Sequence, residues 1–138
     1  MTSEPRLRLD EMDEQHAFDF LARQLATLSA DEEYALRHED YVMEMPQSGE
    51  RIRGRDAMLA FQRAYPDHAP PPSIRVRRVL VRNGLWVVEG ISDYAGTVYD
   101  VIDIIELRDG RLWRETRYYA DLFEAPEWRA KWVERFTP

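Results

Sequence analysis

Three glycine-bearing turns divide residues 74–122 into four segments of strand length, and no other feature of the 138-residue chain restricts its fold as much. Asn83-Gly84 is a strong two-residue hairpin signal, because both residues tolerate the positive φ of a type I′ turn. Ala95-Gly96 is a weaker signal of the same kind. Arg108-Asp109-Gly110 fits a three-residue loop with glycine in the left-handed position. The expected product is a four-stranded antiparallel meander.

Turns of known length also set cross-strand partners, and partners point to the same side of a sheet. A two-residue Asn83-Gly84 loop pairs Arg82 with Leu85 and Val79 with Val88. A two-residue Ala95-Gly96 loop pairs Tyr94 with Thr97, Ser92 with Tyr99 and Val88 with Asp103. The third turn is a fork. A two-residue Asp109-Gly110 loop would set Glu115 and Arg117 among Ile104 and Ile102, where unpaired charges are costly. The three-residue loop places Asp103 opposite Glu115 with Arg117 diagonal to it, and this register is the expected one. One face then carries Trp86, Val88, Gly90, Ser92, Tyr99, Val101, Asp103, Ile105, Trp113, Glu115, Arg117 and Tyr119. The other carries Val76, Leu80, Val87, Ile91, Ile102, Ile104 and Tyr118, with Arg78, Glu89 and Arg114 among them. Both faces are substantially apolar. One can cover helices and line a pocket, and the other calls for a second subunit, so a homodimer through the outer face is expected.

The remaining chain supplies the helices. Residues 1–9 read as a loose tail. From Asp10, Phe18, Leu21, Ala22, Leu25 and Leu28 recur at helical spacing. A second helix is expected over Asp31–Arg37 with Asp31 as its N-cap. A strand over Tyr41–Met45 is stopped by Pro46, and 47–54 reads as a turn-rich excursion. A third helix spans Arg55–Tyr65, with Ala57, Met58 and Phe61 on one face. Pro70-Pro71-Pro72 makes 66–73 a loop, for want of backbone donors. Pro126 opens a last helix over 125–138, whose Trp128, Trp132 and Phe136 form a stripe for docking on the domain or a partner.

The order helix, helix, strand, helix, meander over about residues 10–124 resembles the SnoaL-like branch of the nuclear transport factor 2 superfamily. The most suggestive stretches are His38-Glu39-Asp40-Tyr41-Val42-Met43-Glu44-Met45-Pro46, Gly54-Arg55-Asp56-Ala57 and the run Arg108 to Tyr119. The resemblance implies one α+β domain over 10–124: a cone-like, strongly curved antiparallel sheet wrapped around three N-terminal helices, with an internal pocket. It implies no single reaction, because the superfamily holds isomerases, cyclases, dehydratases, epoxide hydrolases and non-catalytic binders. In the ketosteroid isomerase branch the base is an Asp just before the strand-ending proline, which is Met45 here, and the first-helix Tyr falls near Arg23. Only its protonated Asp has a match, at Asp103. The acid that the epoxide hydrolase branch carries on the last strand corresponds to Arg117.

Candidate chemistry centres on Asp103, Glu115 and Arg117. Two adjacent carboxyls beside an Arg could divide into base and acid, with Arg117 stabilising developing negative charge. The same trio could equally be a self-satisfied ion cluster. Around it, Tyr41, Met43, Met45, Phe61, Trp86, Val88, Tyr99, Val101, Trp113 and Tyr119 are expected as pocket wall or core, with Tyr94 a further hydroxyl. Two functions remain open: a cofactor-independent lyase, cyclase, isomerase or hydrolase for a small apolar oxygenated substrate, and a non-catalytic dimeric binding or accessory module. No cofactor is expected. His16, His38 and His68 lack metal-ligand spacing, and there is no phosphate-binding glycine loop or nucleophile elbow. A net charge of −7 disfavours nucleic acid and anionic membrane as partners. The absence of cysteine and of an apolar leader in Met1–Asp10 fits the cytoplasm.

Overall fold

Three turns with positive φ, at Asn83-Gly84, Ala95-Gly96 and Asp109-Gly110, join the strands of the second half of the chain, and the sheet grows from there. In the computed structural model, residues 7–65 and 73–137 are described. Residues 66–72 of the expected loop, His68 among them, and the first six residues of the expected tail lie outside them, while Ser73, also expected in the loop, opens a strand. Helix α1 (Glu14–Asp19) is capped by Asp13, which accepts the His16 N–H at 2.8 Å. It continues through a π turn at Phe20–Gln24 and a 3-10 turn at Leu25–Thr27. Helix α2 (Ala30–Leu36) begins one residue earlier than expected. Its cap is Ser29 in a reciprocal capping box with Glu32, because Ser29 reaches the Glu32 N–H while Glu32 returns to the Ser29 N–H. Asp31 instead pairs with Arg63 at 2.8 Å.

Strand β1 (Arg37–Met45) pairs antiparallel with β2 (Glu50–Arg53), a strand inside the segment expected to be all turn. Helix α3 is Arg55–Arg63. Then follow β3 (Ser73–Arg82), β4 (Leu85–Tyr94), β5 (Thr97–Arg108) and β6 (Arg111–Asp121). The six-stranded sheet has the order β2-β1-β6-β5-β4-β3, with β1 parallel to β6 and the other neighbours antiparallel. It is curved and unclosed, and the helices fill its concave side.

The first two hairpins have the expected registers, with Arg82 opposite Leu85, Tyr94 opposite Thr97 and Val88 opposite Asp103. The third departs from both branches of the fork. Asp109 (φ 53°) and Gly110 (φ 72°) make a two-residue turn that pairs Arg108 with Arg111. A bulge follows at once: Leu107 faces Leu112, but Glu106 faces Arg114. The extra residue is Trp113. Inserting one residue reverses the alternation of everything beyond it. Asp103 therefore stands opposite Arg117, and Ile105 opposite Glu115. The two charges stay on the concave face by way of the bulge and not of a three-residue loop.

A second bulge at Arg77 corrects the placement of Val76. Val76 faces Gly90 and packs against the core instead of lying on the outer face. Gly90 is required there, since a Cβ would lie 2.8 Å from the Arg75 carbonyl oxygen.

The core joins Ala17 and Phe20 of the first helix to Tyr41, Met43, Met58, Val79, Trp86, Val88, Ile105 and Leu112. Phe20 meets Trp86 edge-on at 6.3 Å. Leu9 belongs to this core and is fully buried, and its N–H donates to the Gly110 carbonyl at 3.1 Å. The expected tail therefore ends before it. At the other terminus the expected long helix is a six-residue 3-10 helix, Glu127–Trp132, with Trp128, Trp132 and Phe136 exposed and not packed on the domain. Among the described residues no helix is long and apolar enough to cross a membrane.

Candidate functional site

Three neighbouring strands aim alternate residues at one point: Met43 of β1 beside Glu115 of β6, and Arg117 of β6 beside Asp103 of β5. Arg117 donates Nε and Nη2 to the same Glu115 oxygen, at 3.0 and 2.7 Å. Its Nε lies 3.5 Å from Asp103 Oδ2, and Asp103 Oδ1 is buried with no hydrogen-bond partner in the protein. Glu115 is 4% exposed and Arg117 29%, so the ion pair closes from the protein side and opens toward the cavity.

The environments split the two carboxyls. Burial and then the charge of Glu115 push Asp103 well above the ordinary carboxylate range, which favours its protonated form. Burial alone would raise Glu115 too, but the charge and hydrogen bonds of Arg117, with help from Arg37, outweigh it and hold Glu115 low. Burial works against the charge on Arg117, yet the two carboxyls keep its pKa well above normal. The environments thus pull the two carboxyls apart: Glu115 toward its ionised form beside Arg117, Asp103 toward its neutral one.

Beside it lies a cavity of about 960 Å3, bordered by Arg117, Met43, Met45, Phe61, Tyr99 and Tyr119 of the expected residues. Tyr94, Tyr99 and Tyr119 meet pairwise edge to face, with centroids 5.8, 6.2 and 6.5 Å apart. Burial and a hydrogen bond with Tyr119 raise the Tyr94 phenol. The Gln47 side chain accepts the Tyr119 backbone N–H and so continues the edge of β6 past the end of β1.

Other expected wall residues are elsewhere. Trp86 and Val88 are core. Val101 is half-buried opposite Tyr119 and does not border the cavity. Trp113, the bulge residue, is turned out of the site, where the Arg108 and Arg114 guanidinium groups lie over its ring at 4.9 and 5.0 Å. Tyr41 is wholly buried beneath the site, its hydroxyl without a protein partner and its pKa raised by burial and then by Glu115.

The sequence reading missed Glu33 and Gln62, which border the cavity from α2 and α3. Both hydrogen-bond to Arg37, at 3.3 Å each, and Gln62 donates to Glu33. A signal for Gln62 was available: it lies four residues after buried Met58, on the same helical face. Asp121 likewise extends the alternation Glu115, Arg117, Tyr119 by one step, and it borders the cavity.

Known proteins agree with this architecture. The chain is 35% identical to an NTF-2 like protein of unknown function from Burkholderia xenovorans, over 78% of this chain and 83% of that one, with a TM-score of 0.67. A ketosteroid isomerase candidate from Kribbella flavida is 29% identical, with 88% and 84% covered and a TM-score of 0.73. An LEH-like epoxide hydrolase from M. tuberculosis is 18% identical, with 74% and 75% covered and a TM-score of 0.58, a likeness of fold. No curated protein matches the chain. The SnoaL-like domain family matches residues 17–115, and the chain belongs to that family, with the fold of the nuclear transport factor 2 superfamily.

Proposed function

We propose that the cavity binds a small, largely apolar, oxygenated molecule and that the protein acts on it by cofactor-independent proton transfer, as a lyase, cyclase, isomerase or hydrolase. The observation that carries this reading is Arg117, which borders a cavity of about 960 Å3 and joins it to Glu115 and to Asp103, a carboxyl 3.5 Å away whose pKa burial and the charge of Glu115 raise well above the ordinary range. A buried acid that retains its proton at neutral pH can donate to a substrate oxygen. Arg117 borders the cavity and can stabilise negative charge developing on that oxygen. Glu115, held by Arg117 and nearly inaccessible, orients the guanidinium and keeps the proton on Asp103. Met43, Met45 and the tyrosine trio supply the apolar and aromatic wall.

A second reading rests on the Arg117–Glu115 contact itself, which satisfies both charges within the protein. In it the domain binds a hydrophobic molecule without turnover. Both readings include a homodimer formed through the outer sheet face.

The experiment is a thermal-shift screen of small terpenoid, polyketide and steroid compounds, followed by turnover assays on the binders. Asp103→Asn, with binding retained, should lower kcat by about 100-fold or more. Unchanged turnover in both Asp103→Asn and Arg117→Ala would sink the catalytic reading, and binding without turnover would leave the second.

A further inference from the structure

Arg117 brings charge to the cavity from the sheet, and a second polar group meets it from the helices. Glu33 of α2 and Gln62 of α3 border the cavity, and both are tied to Arg37, which is 4% exposed. Arg37 Nη2 donates to Glu33 Oε2 and Nη1 to Gln62 Oε1, each at 3.3 Å. An arginine can only donate and a carboxylate only accept, so the Gln62 amide has one orientation, with its oxygen toward Arg37 and its nitrogen toward Glu33. Both hydrogen bonds to Glu33 end on Oε2. Its other oxygen, Oε1, takes no hydrogen bond among the described residues, yet it is not a buried atom. On the sheet side, Arg117 spends Nε and Nη2 on Glu115, and its Nη1 has no hydrogen-bond partner among the described residues. Met43, Met45 and Phe61 give the same cavity its apolar border.

We infer that Glu33 is a specificity-determining residue, whose Oε1 accepts a hydrogen bond from a hydroxyl of the bound molecule while Arg117 donates to a carbonyl oxygen of the same molecule. This rests on the proposed use of the cavity and narrows its occupant to a hydroxylated carbonyl compound with an apolar body. An apolar molecule that fills the cavity strips water from Glu33 Oε1 and gives nothing back, and a desolvated charged acceptor without a partner is costly. A ligand hydroxyl removes that cost, so the site rejects the analogue that lacks it. The charge of Glu33 is already matched by Arg37 in an ion pair. A neutral donor therefore completes the site, and a cation is not required. Gln62 supports the arrangement by holding Oε2 from the other helix, which leaves Oε1 as the oxygen free to meet a ligand.

The test is a binding series on the full-length chain, read by NMR titration. The probes are straight-chain methyl ketones of six to ten carbons, each with its ω-hydroxy and ω-methoxy counterpart. The plain ketones report on Arg117 and the apolar wall. At the best-fitting chain length the ω-hydroxy ketone should bind the parent chain at least about tenfold more tightly than either the plain or the ω-methoxy ketone, the worth of one hydrogen bond to a charged group. Glu33→Gln changes the sign of the site. Its new side-chain oxygen must serve Arg37 and Gln62, so the amide N–H2 is what remains for the ligand. In that variant the preference for hydroxy over methoxy should fall to about twofold or less, because the methoxy oxygen now has a donor to accept from. The affinity ratio within each protein is the readout, so a general loss of stability does not imitate the result, and the parent ratio needs no variant at all. Plain ketones that bind the parent with no gain from the hydroxyl overturn this inference and leave the cavity reading standing. A hydroxyl preference that survives in Glu33→Gln also overturns it. A parent chain that binds none of the series overturns the cavity reading, and this inference with it.

Discussion

Asp103 stands directly opposite Arg117 across β5 and β6, yet the guanidinium directs two N–H groups to Glu115 and lies 3.5 Å from Asp103. Together with burial, that asymmetry raises the pKa of Asp103 and lowers that of Glu115. It also predicts how the site responds to losing a member. Removing Glu115 leaves Arg117 without its principal partner, and a buried charge so orphaned typically costs about 3–5 kcal/mol. Asp103 can ionise and take over part of the role. Glu115→Ala should therefore destabilise by about 2–3 kcal/mol in urea denaturation. The double variant Glu115→Ala/Asp103→Asn should lose more than the sum of the singles.

The raised Asp103 pKa has a sign that can be measured. Between the ordinary value of 3.8 and the higher folded value, the native state holds a proton that the unfolded state has released. Stability from this group is complete below the ordinary value and falls as pH rises toward the folded one, by about 1.4 kcal/mol per unit within that window. Glu115, held low, works in the opposite sense and loses its contribution as pH falls. Subtracting the denaturation profile of Asp103→Asn from that of the parent isolates the Asp103 slope. A flat difference above pH 4 would contradict the protonated acid.

Core and cavity wall should separate under mutation. Trp86 is fully buried against Phe20, and Trp86→Ala should cost about 3–5 kcal/mol. Phe61 borders the cavity and is 52% exposed. Phe61→Ala should change stability by less than about 1 kcal/mol while weakening the binding of a fluorescent apolar probe.

The bulge at Arg77 draws the Arg75 carbonyl to 2.8 Å from where a Gly90 side chain would begin. Backbone cannot give way as a side-chain tip can. Gly90→Ala should cost about 1–3 kcal/mol, read as a lower urea midpoint. Gly96→Ala, with open space around it but φ of 98°, tests conformational strain alone.

Helix α2 offers a check on capping. Ser29→Ala should cost about 1 kcal/mol by leaving the Glu32 N–H unpaired. Asp31→Ala removes only a surface pair with Arg63 and should cost less than about 0.5 kcal/mol.

Local chemistry made much of this protein legible. Turn residues act within four positions, so Ala95-Gly96 sets a hairpin register that holds along all of β4, and Asn83-Gly84 one that holds as far as the bulge at Arg77. Alternation then placed Asp103, Tyr99 and Ile105 on one face without further information. The meander, the preceding helices and the family resemblance were all visible in this way. The third hairpin was not. Whether Leu112 or Trp113 turns inward depends on what each meets: Leu112 is buried where β6 runs beside Arg37, while Trp113 stacks with two arginines outside. That choice is made by β1 and the core, more than seventy residues away in sequence, and it alone returned Glu115 and Arg117 to the site. The same holds for Glu33, Gln62 and the raised pKa of Asp103. Helix placement and burial are properties of the packed chain, so alternation along a strand could name the wall residues on the sheet but not those that the helices bring to meet them.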